Sequence, residues 1–417
     1  MKIDFIALSV PFFFLLIFVE LIYGNWKKEK YYRLNDTLTN LSCGIGQTVL
    51  GLWLKFYFIY LMIFFYQYRL FTIPATWYTW ILLFLGVDFC YYWFHRLSHE
   101  INVIWATHVV HHQSEEYNLS VALRQSWFQT LFSASFYIPL PFLGFDPIMI
   151  ASIVAINTLY QFWIHTKAIK KMPRFIEFIF NTPSHHRVHH GTNPIYIDRN
   201  HAGSLIIWDR MFGTFQKEEE EVVYGITTPL KSWSPVWSNL HYWRDIRKVS
   251  SLSKKRTDKL LAYIKPPGWQ PIELGGRQYA PEVDPTYKKY DTPVSKSMSV
   301  YLIVQYVFLV GVTSYFMFFG KPILEKGVDE LTVIRTIYIA AFIILSITSI
   351  GFLLELKKFS KYIEYFRILC FGAIGILFIQ ETYGLYALAI SVCLSLISLV
   401  HFSLLVFNKP KQIKIEA

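Results

Sequence analysis

From Gly384 to Phe407 the chain reads GLYALAISVCLSLISLVHFSLLVF, a stretch with no Asp, Glu, Lys or Arg. About 20 apolar residues make a helix long enough to cross a bilayer, and inside lipid every backbone N–H and C=O has to be satisfied within the segment itself. Runs of this kind recur near residues 5–24, 42–66, 76–96, 299–319, 333–355, 365–382 and 384–407, while 127–143 and 147–165 read as a helical hairpin. The pattern predicts an all-α integral membrane protein, a multi-span helical bundle. The first run has only Lys2 and Asp4 ahead of it and no small-residue cleavage site, so it reads as a retained helix and not as a signal peptide.

Four basic stretches orient the runs: NWKKEKYYR (Asn25–Arg33), KAIKKMPR (Lys167–Arg174), KKFSK (Lys357–Lys361) and the tail KPKQIK. Threading the chain back and forth puts all four on one side, which the positive-inside rule makes cytosolic. The other side shows sparse charge, such as Arg69, Lys321 and Lys326. This bias, with attraction to anionic head groups, accounts for the net charge of +11 without nucleic acid. Cys43, Cys90, Cys370 and Cys393 are scattered in apolar segments with no CxxC spacing, which argues against a disulfide framework and a thiolate metal site.

The expected organisation is a membrane-embedded unit over 1–250, a Pro-rich interfacial linker over 251–295, a four-span region of unread role over 296–408 and a basic tail over 409–417. Trp233, Trp237, Trp243 and Trp269, interleaved with Arg and Lys, suggest a segment lying in the membrane interface.

Imidazole dominates the polar chemistry. FHRLSHE carries His95 and His99 at i,i+4, on one face of a helix. THVVHHQ carries His108, His111 and His112, QFWIHTK carries His165, and SHHRVHH carries His185, His186, His189 and His190. On the threading above, all of them gather at the cytosolic mouths of the helices. Protonated rings at that density repel, and neutral buried rings without partners leave polar nitrogens unsatisfied. A metal removes both difficulties by taking a lone pair from each ring. Eight or nine ligands exceed the needs of one ion, so the clusters predict a cytosol-facing di-metal site.

Nitrogen donors alone do not choose among Zn, Fe, Cu and Ni. Iron with O2 is the functional expectation, because the neighbouring spans offer apolar substrate and membrane-dissolved oxygen. The lone His241 and His401 read as interfacial or packing residues. A membrane metal carrier is a minor alternative, and it would need ionisable groups inside several spans, which these runs nearly lack.

The series H-x-x-x-H, H-x-x-H-H, H-x-x-H-H resembles the fatty acid hydroxylase and sterol desaturase superfamily of integral membrane non-haem di-iron enzymes. The stretches WFHRLSHEINVIWATHVVHHQSEEYNLSVALRQSW and LYQFWIHTKAIKKMPRFIEFIFNTPSHHRVHHGTNPIYIDRNHAGSLIIWDRMFGTF resemble its alkylglycerol monooxygenase branch, over about Val87 to Phe215. The resemblance implies that His95, His99, His108, His111, His112, His186, His189 and His190 are iron ligands, with His165 completing the set. His185 stands as a further ligand or as a donor beside His186, and Asp88 as an acceptor for a ligand imidazole N–H. Glu100, Glu116, Tyr117, Asn118 and Ala122–Ser126, with Arg124 and Gln125, match branch motifs near the site. Asn200 and His201 fall in the substrate or reductant vicinity. The chain departs from the branch at His201, where the animal members have tyrosine. Asp209 and Arg210 belong to the shared pattern with no forced chemical role.

The branch oxidises ether lipids with electrons from tetrahydrobiopterin, which implies cleavage of an O-alkylglycerol to a fatty aldehyde and a glycerol derivative. The same site acting on a sterol, fatty acyl, sphingoid or carotenoid substrate is the alternative. No catalytic residue is expected beyond the di-metal centre. The chain shows no Gly-rich dinucleotide fingerprint, haem pattern or cysteine cluster, so two electrons per turnover are expected from an external reductant, a pterin or a redox partner. A bacterial inner membrane or the endoplasmic reticulum is the expected location.

Overall fold

A computed structural model describes residues 5–284, 286–319, 328–377 and 384–407. Lys321, Lys326, Pro285, the basic tail and the end of the run at 365–382 therefore lie outside the described residues. The described chain is helical, with no strand in it beyond one isolated bridge between Gly191 and Tyr224. It divides into two compact units, Met1–Lys231 with Val236–Lys289, and Ser232–Pro235 with Tyr290–Ala417.

The first unit holds α1 (Phe5–Trp26), α2 (Leu34–Tyr66), α3 (Trp77–Glu100) and the single turns α4 (Asn102–Trp105) and α5 (Val109–His112). It continues with α6 (Gln129–Phe136), α7 (Pro139–Leu143), α8 (Pro147–Trp163), α9 (Arg174–Ile179), α10 (Pro183–His189), α11 (Ile207–Phe212), α12 (Pro235–Leu252) and α13 (Arg256–Ile264). Thr76 and Thr79 form a capping box that starts α3, with the Thr76 backbone N–H donating to Thr79 Oγ1 at 2.9 Å. Asp146 caps α8, accepting from the backbone N–H of Ile148 at 2.8 Å, and Pro147 occupies the first helical position, where no N–H is needed. Leu83, Val87 and Cys90 of α3, Met62 of α2, Leu140 of α7 and Met149, Ile150 and Ile153 of α8 form one buried apolar cluster. Gly46 lets the segment after Arg124 lie against α2, because a Cβ there would stand 2.3 Å from Trp127 Nε1. The Trp127 indole N–H in turn donates to the Cys43 carbonyl at 3.1 Å.

The second unit is built from α14 (Lys296–Phe319), α15 (Glu330–Leu354), α16 (Ser360–Leu377) and α17 (Gly384–Phe407). Its interior contains a buried ion pair on α16, with Arg367 Nε 2.9 Å from Glu364 Oε2. Gln305 Oε1 accepts from Arg367 Nη2 at 2.6 Å, and Ser349 Oγ donates to Glu364 Oε2 at 2.7 Å, while Tyr301 donates to the same carboxylate. Such a pair is tolerated inside a bundle because its remaining hydrogen-bonding capacity is filled by neighbouring helices.

Five helices are long and apolar enough to cross a membrane: Leu8–Trp26, Leu34–Tyr66, Lys296–Phe318, Glu330–Leu354 and Gly384–Phe407. The expected hairpin arms differ for a clear reason. Pro139 and Pro141 lack the N–H a continuous helix needs and split 127–143 into α6, of 8 residues, and α7, of 5. At 1.5 Å per residue neither spans a hydrocarbon core of about 30 Å. The helix α8, of 17 residues, is also short of that length. The helix α3 is long enough, with 24 residues, but carries Asp88, Arg96, Glu100 and two histidines, and α16 carries Lys361, Glu364 and Arg367.

Candidate metal centre

Separate stretches bring their histidines together. His95 and His99 occupy the last two turns of α3, after which the backbone turns extended at Ile101. His108 precedes α5, and His111 and His112 end it; His165 follows α8 closely; His186 and His189 lie on α10, with His190 at its C-terminal cap. These nine rings sort into two groups. His95, His99, His108, His112 and His189 form one and His111, His165, His186 and His190 the other, and in each the ligand atoms lie within 4.8 Å of one another.

The sorting divides each H-x-x-H-H motif. Residues four apart stay together, as His108 with His112 and His186 with His190, because they share a helical face. The intervening His111 and His189 turn to the opposite group. Each motif thereby serves both groups, which ties the two sites into one structure.

Backbone carbonyls set the ring orientations. The Nδ1–H of His95 donates to the His201 carbonyl at 2.7 Å, that of His111 to Arg124 at 3.0 Å, that of His165 to Gln161 at 2.7 Å and that of His189 to Arg199 at 2.9 Å. A carbonyl can only accept, so each of these rings carries its hydrogen on Nδ1 and turns a bare Nε2 inward. The Nε2 atoms of His111 and His165 then face each other at 3.1 Å, lone pair to lone pair. Nε2 of His99, His189 and His190 is buried with no hydrogen-bond partner. Each bare nitrogen has given up a hydrogen bond to water that an electrophile at the centre would replace, and the nine rings fit the metal that their residue types suggest. Burial keeps the rings neutral and able to ligate, pushing His111 down to about 4 and His189 to about 3.

Supporting residues lock these positions. The Arg124 guanidinium donates to the Val110 carbonyl at 2.7 Å and to Gln113 Oε1 at 2.6 Å, so Arg124 fixes the turn around His111 through its side chain and its carbonyl. Arg187 donates to the carbonyls of Thr166 at 3.0 Å and Ile169 at 2.7 Å, holding the loop after His165 against α10. Glu20 of α1 accepts from the Leu119 backbone N–H at 2.8 Å and from the hydroxyl of Thr166. Tyr117, fully buried, stacks on His165 with ring centroids 5.8 Å apart and donates to the Ile164 carbonyl at 3.1 Å.

Other expected site residues take different places. His185 belongs to neither group; its ring packs against Phe215 at 5.5 Å, because its position on α10 turns it away from the cluster. Asp88 accepts no imidazole N–H among the described contacts. Its oxygens are taken by the backbone N–H groups of Ser204 at 2.7 Å and Leu205 at 3.0 Å and by the Trp208 indole at 2.9 Å. Asp88 thus steadies the segment whose His201 carbonyl orients His95. Glu100 pairs with Arg96 at 2.9 Å near the surface. Glu116 binds Arg33 at 2.6 Å and Lys289 at 2.9 Å, Asn118 donates to the Tyr31 carbonyl at 2.7 Å, and Gln125 donates to the Ala122 carbonyl at 2.9 Å. Asn200 ties His185 to Gln216 through hydrogen bonds of 3.0 and 2.8 Å to their carbonyls. His201 is buried 5.1 Å from His99 by ring centroids, with Nδ1 unpartnered, but outside the five-membered group.

Reading the motifs missed Trp105, whose ring packs 4.8 Å from His99, and, within the segment Asp198–His201, the residues Asp198 and Arg199. Three of that segment's four carbonyls, those of Asp198, Arg199 and His201, accept imidazole N–H groups. Backbone acceptors carry no residue-type signal, although Asp and Asn at 198 and 200 suit the left-handed backbone found there.

Five helices of membrane-crossing length, together with two sets of converging neutral imidazoles in the first unit, define a multi-pass membrane protein whose histidine clusters could hold metal. Residues 80–214 match the model of the fatty acid hydroxylase family. The human alkylglycerol monooxygenase is 39% identical over 375 residues, covering 88% of this chain and 82% of the relative. That of Danio rerio is 40% identical over 372 residues, covering 86% and 79%. The ornithine lipid hydroxylase OlsE of Rhizobium tropici is 30% identical over 129 residues, covering 31% and 39%. No solved structure matches the chain. The chain belongs to the fatty acid hydroxylase family, and it is a membrane lipid monooxygenase, an oxidoreductase of that family.

Proposed function

We propose that this protein is an O2-dependent di-iron monooxygenase that cleaves O-alkylglycerols. The observation that carries the reading is the division of the nine imidazoles into a group of five and a group of four. One iron would be held by His95, His99, His108, His112 and His189, and the other by His111, His165, His186 and His190. The chemistry that iron would supply there is activation of O2 to an oxidant able to take hydrogen from an unactivated C–H bond.

The overall reaction balances as R–CH2–O–R′ plus O2, two electrons and two protons giving R–CH(OH)–O–R′ and water. The hydroxylated ether is a hemiacetal, which breaks its C–O bond to leave fatty aldehyde and a free glycerol hydroxyl. No hydrolytic side chain is needed for that collapse. The residues of the chain keep the rings neutral, aim their Nε2 atoms inward and bury the centre. Its place beside apolar helices suits a lipid whose head group stays in the interface while its chain lies between helices. The electrons come from an external donor, tetrahydrobiopterin in this reading, with a redox partner protein as the competing source. The four basic stretches support a cytosol-facing site, in a bacterial inner membrane or the endoplasmic reticulum.

Similarity to an ornithine lipid hydroxylase favours a second reading, hydroxylation of another membrane lipid at the same site. Detergent-solubilised protein supplied with iron, O2, tetrahydrobiopterin and a 1-O-alkylglycerol tests the first. Fatty aldehyde is expected. No aldehyde from the ether, with an oxidised product when an acyl lipid or a sterol is supplied in its place, would establish the second.

A further inference from the structure

We propose that the reductant, a reduced pterin, docks on the indole of Trp105 and the carboxylate of Asp198, both of which lie against His99. The inference rests on the reading that an external two-electron donor serves the centre. All nine rings are buried, none more than 7% exposed, so electrons from outside have to enter through a neighbouring group.

Trp105 ends α4, and its ring lies 4.8 Å from His99, 5.4 Å from His112 and 6.1 Å from His108 by centroids. It therefore touches three of the five rings of one group, and part of it reaches solvent. The route to the other group is less open. Tyr117 is fully buried, and the outer ring stacked on it, Tyr224, is itself covered by the Lys167 ammonium at 4.6 Å.

Asp198 supplies a second, different recognition element. Its Oδ1 stands 3.4 Å from His99 Nδ1, yet its side chain remains 50% exposed. Its carbonyl faces inward to accept from His201 Nε2–H at 3.1 Å. The backbone holds this arrangement at φ +56°, and Asn200 has the same value, a left-handed conformation that Asp and Asn adopt more readily than other non-glycine residues. Arg277, whose charge acts on Asp198, rests over the Tyr279 ring at 5.1 Å.

A reduced pterin matches both elements. Its ring offers a flat face to an indole, and its amidine edge presents adjacent N–H donors that a carboxylate accepts in parallel. On oxidation to the dihydropterin it releases the two electrons and two protons that the hydroxylation consumes. A donor bound there is separated from three of the imidazoles by one indole.

The test uses the iron-loaded full chain in detergent and measures anaerobic binding of tetrahydrobiopterin. Trp105→Leu and Asp198→Asn should each raise Kd about tenfold or more, as expected from losing a ring stack or a bidentate acceptor, and Trp105→Phe should raise it less. Iron content is read on the same samples: Kd is compared among variants that hold iron at the wild-type level, and iron lost from all of them would assign both side chains to holding His99 and overturn the docking site. Asp198→Asn keeps the size and backbone preference of aspartate, so it carries the decision if Trp105→Leu loses iron. Unchanged Kd in Asp198→Asn and in the iron-retaining Trp105 variants would remove this site while leaving the pterin reading intact. Wild-type protein that binds no pterin, yet oxidises the lipid after dithionite reduction, would remove the pterin reading and the site together.

Discussion

Arg187 Nε lies 2.7 Å from Glu218 Oε1, with Arg187 placed in sequence between His186 and His189 of opposite groups. Its other guanidinium nitrogens reach the carbonyls of Thr166, Ile169 and Lys170 beyond His165. One side chain thus joins two of the four ligands of the smaller group. Arg187→Ala should destabilise the protein by on the order of 3 kcal/mol, since it strands a mostly buried carboxylate and three carbonyls. Arg187→Lys should recover only part of this, because an ammonium lacks the planar fork. Thermal unfolding with iron content per chain checks both.

His111 and His189 each turn to the group opposite their immediate neighbours, so their replacement separates the two sites. His111→Ala should weaken metal at the group of four and His189→Ala at the group of five. Each should reduce lipid oxidation by more than about a hundredfold, beyond the loss typical when only a ligand's hydrogen-bond partner is changed. Iron stoichiometry and product analysis decide it, and retained activity in both variants would contradict the assignment.

Acid should unfold the metal-free protein. His111 is lowered to about 4 and His189 to about 3, whereas an unfolded histidine titrates near 6.5. Between those values the unfolded chain binds more protons than the folded one, so stability is fully present above pH ~6.5 and falls as pH drops. Each such ring contributes a loss of up to about 1.4 kcal/mol per pH unit. Chelator-treated protein followed by circular dichroism from pH 8 to 4 measures the slope, and a flat profile would refute burial of neutral rings.

Gly203→Ala should damage the larger group from a distance. A Cβ at Gly203 would stand 2.8 Å from Asp88 Oδ1, Asn157 Oδ1 and the Tyr91 ring. Relieving that crowding moves the segment whose His201 carbonyl holds His95 at 2.7 Å. A stability loss of about 1–3 kcal/mol is expected, together with reduced iron occupancy.

Residue types and local spacing determined much of this protein. Apolar runs such as Gly384–Phe407 are legible because a lipid-crossing helix has to satisfy its own backbone, and histidines four apart have to share a helical face. The same local logic overreached at 127–143, where prolines divide a run that is apolar enough to read as one helix arm. Only the tertiary structure decided that His111 and His189 cross between groups, that His185 turns away from both, and that Asp88 holds backbone amides instead of an imidazole. It also decided that the carbonyls of Asp198, Arg199 and His201 orient rings. Those outcomes depend on which backbone groups from distant segments meet at a given atom. A carbonyl is the same in every residue, so no letter in the sequence announces where it will be used.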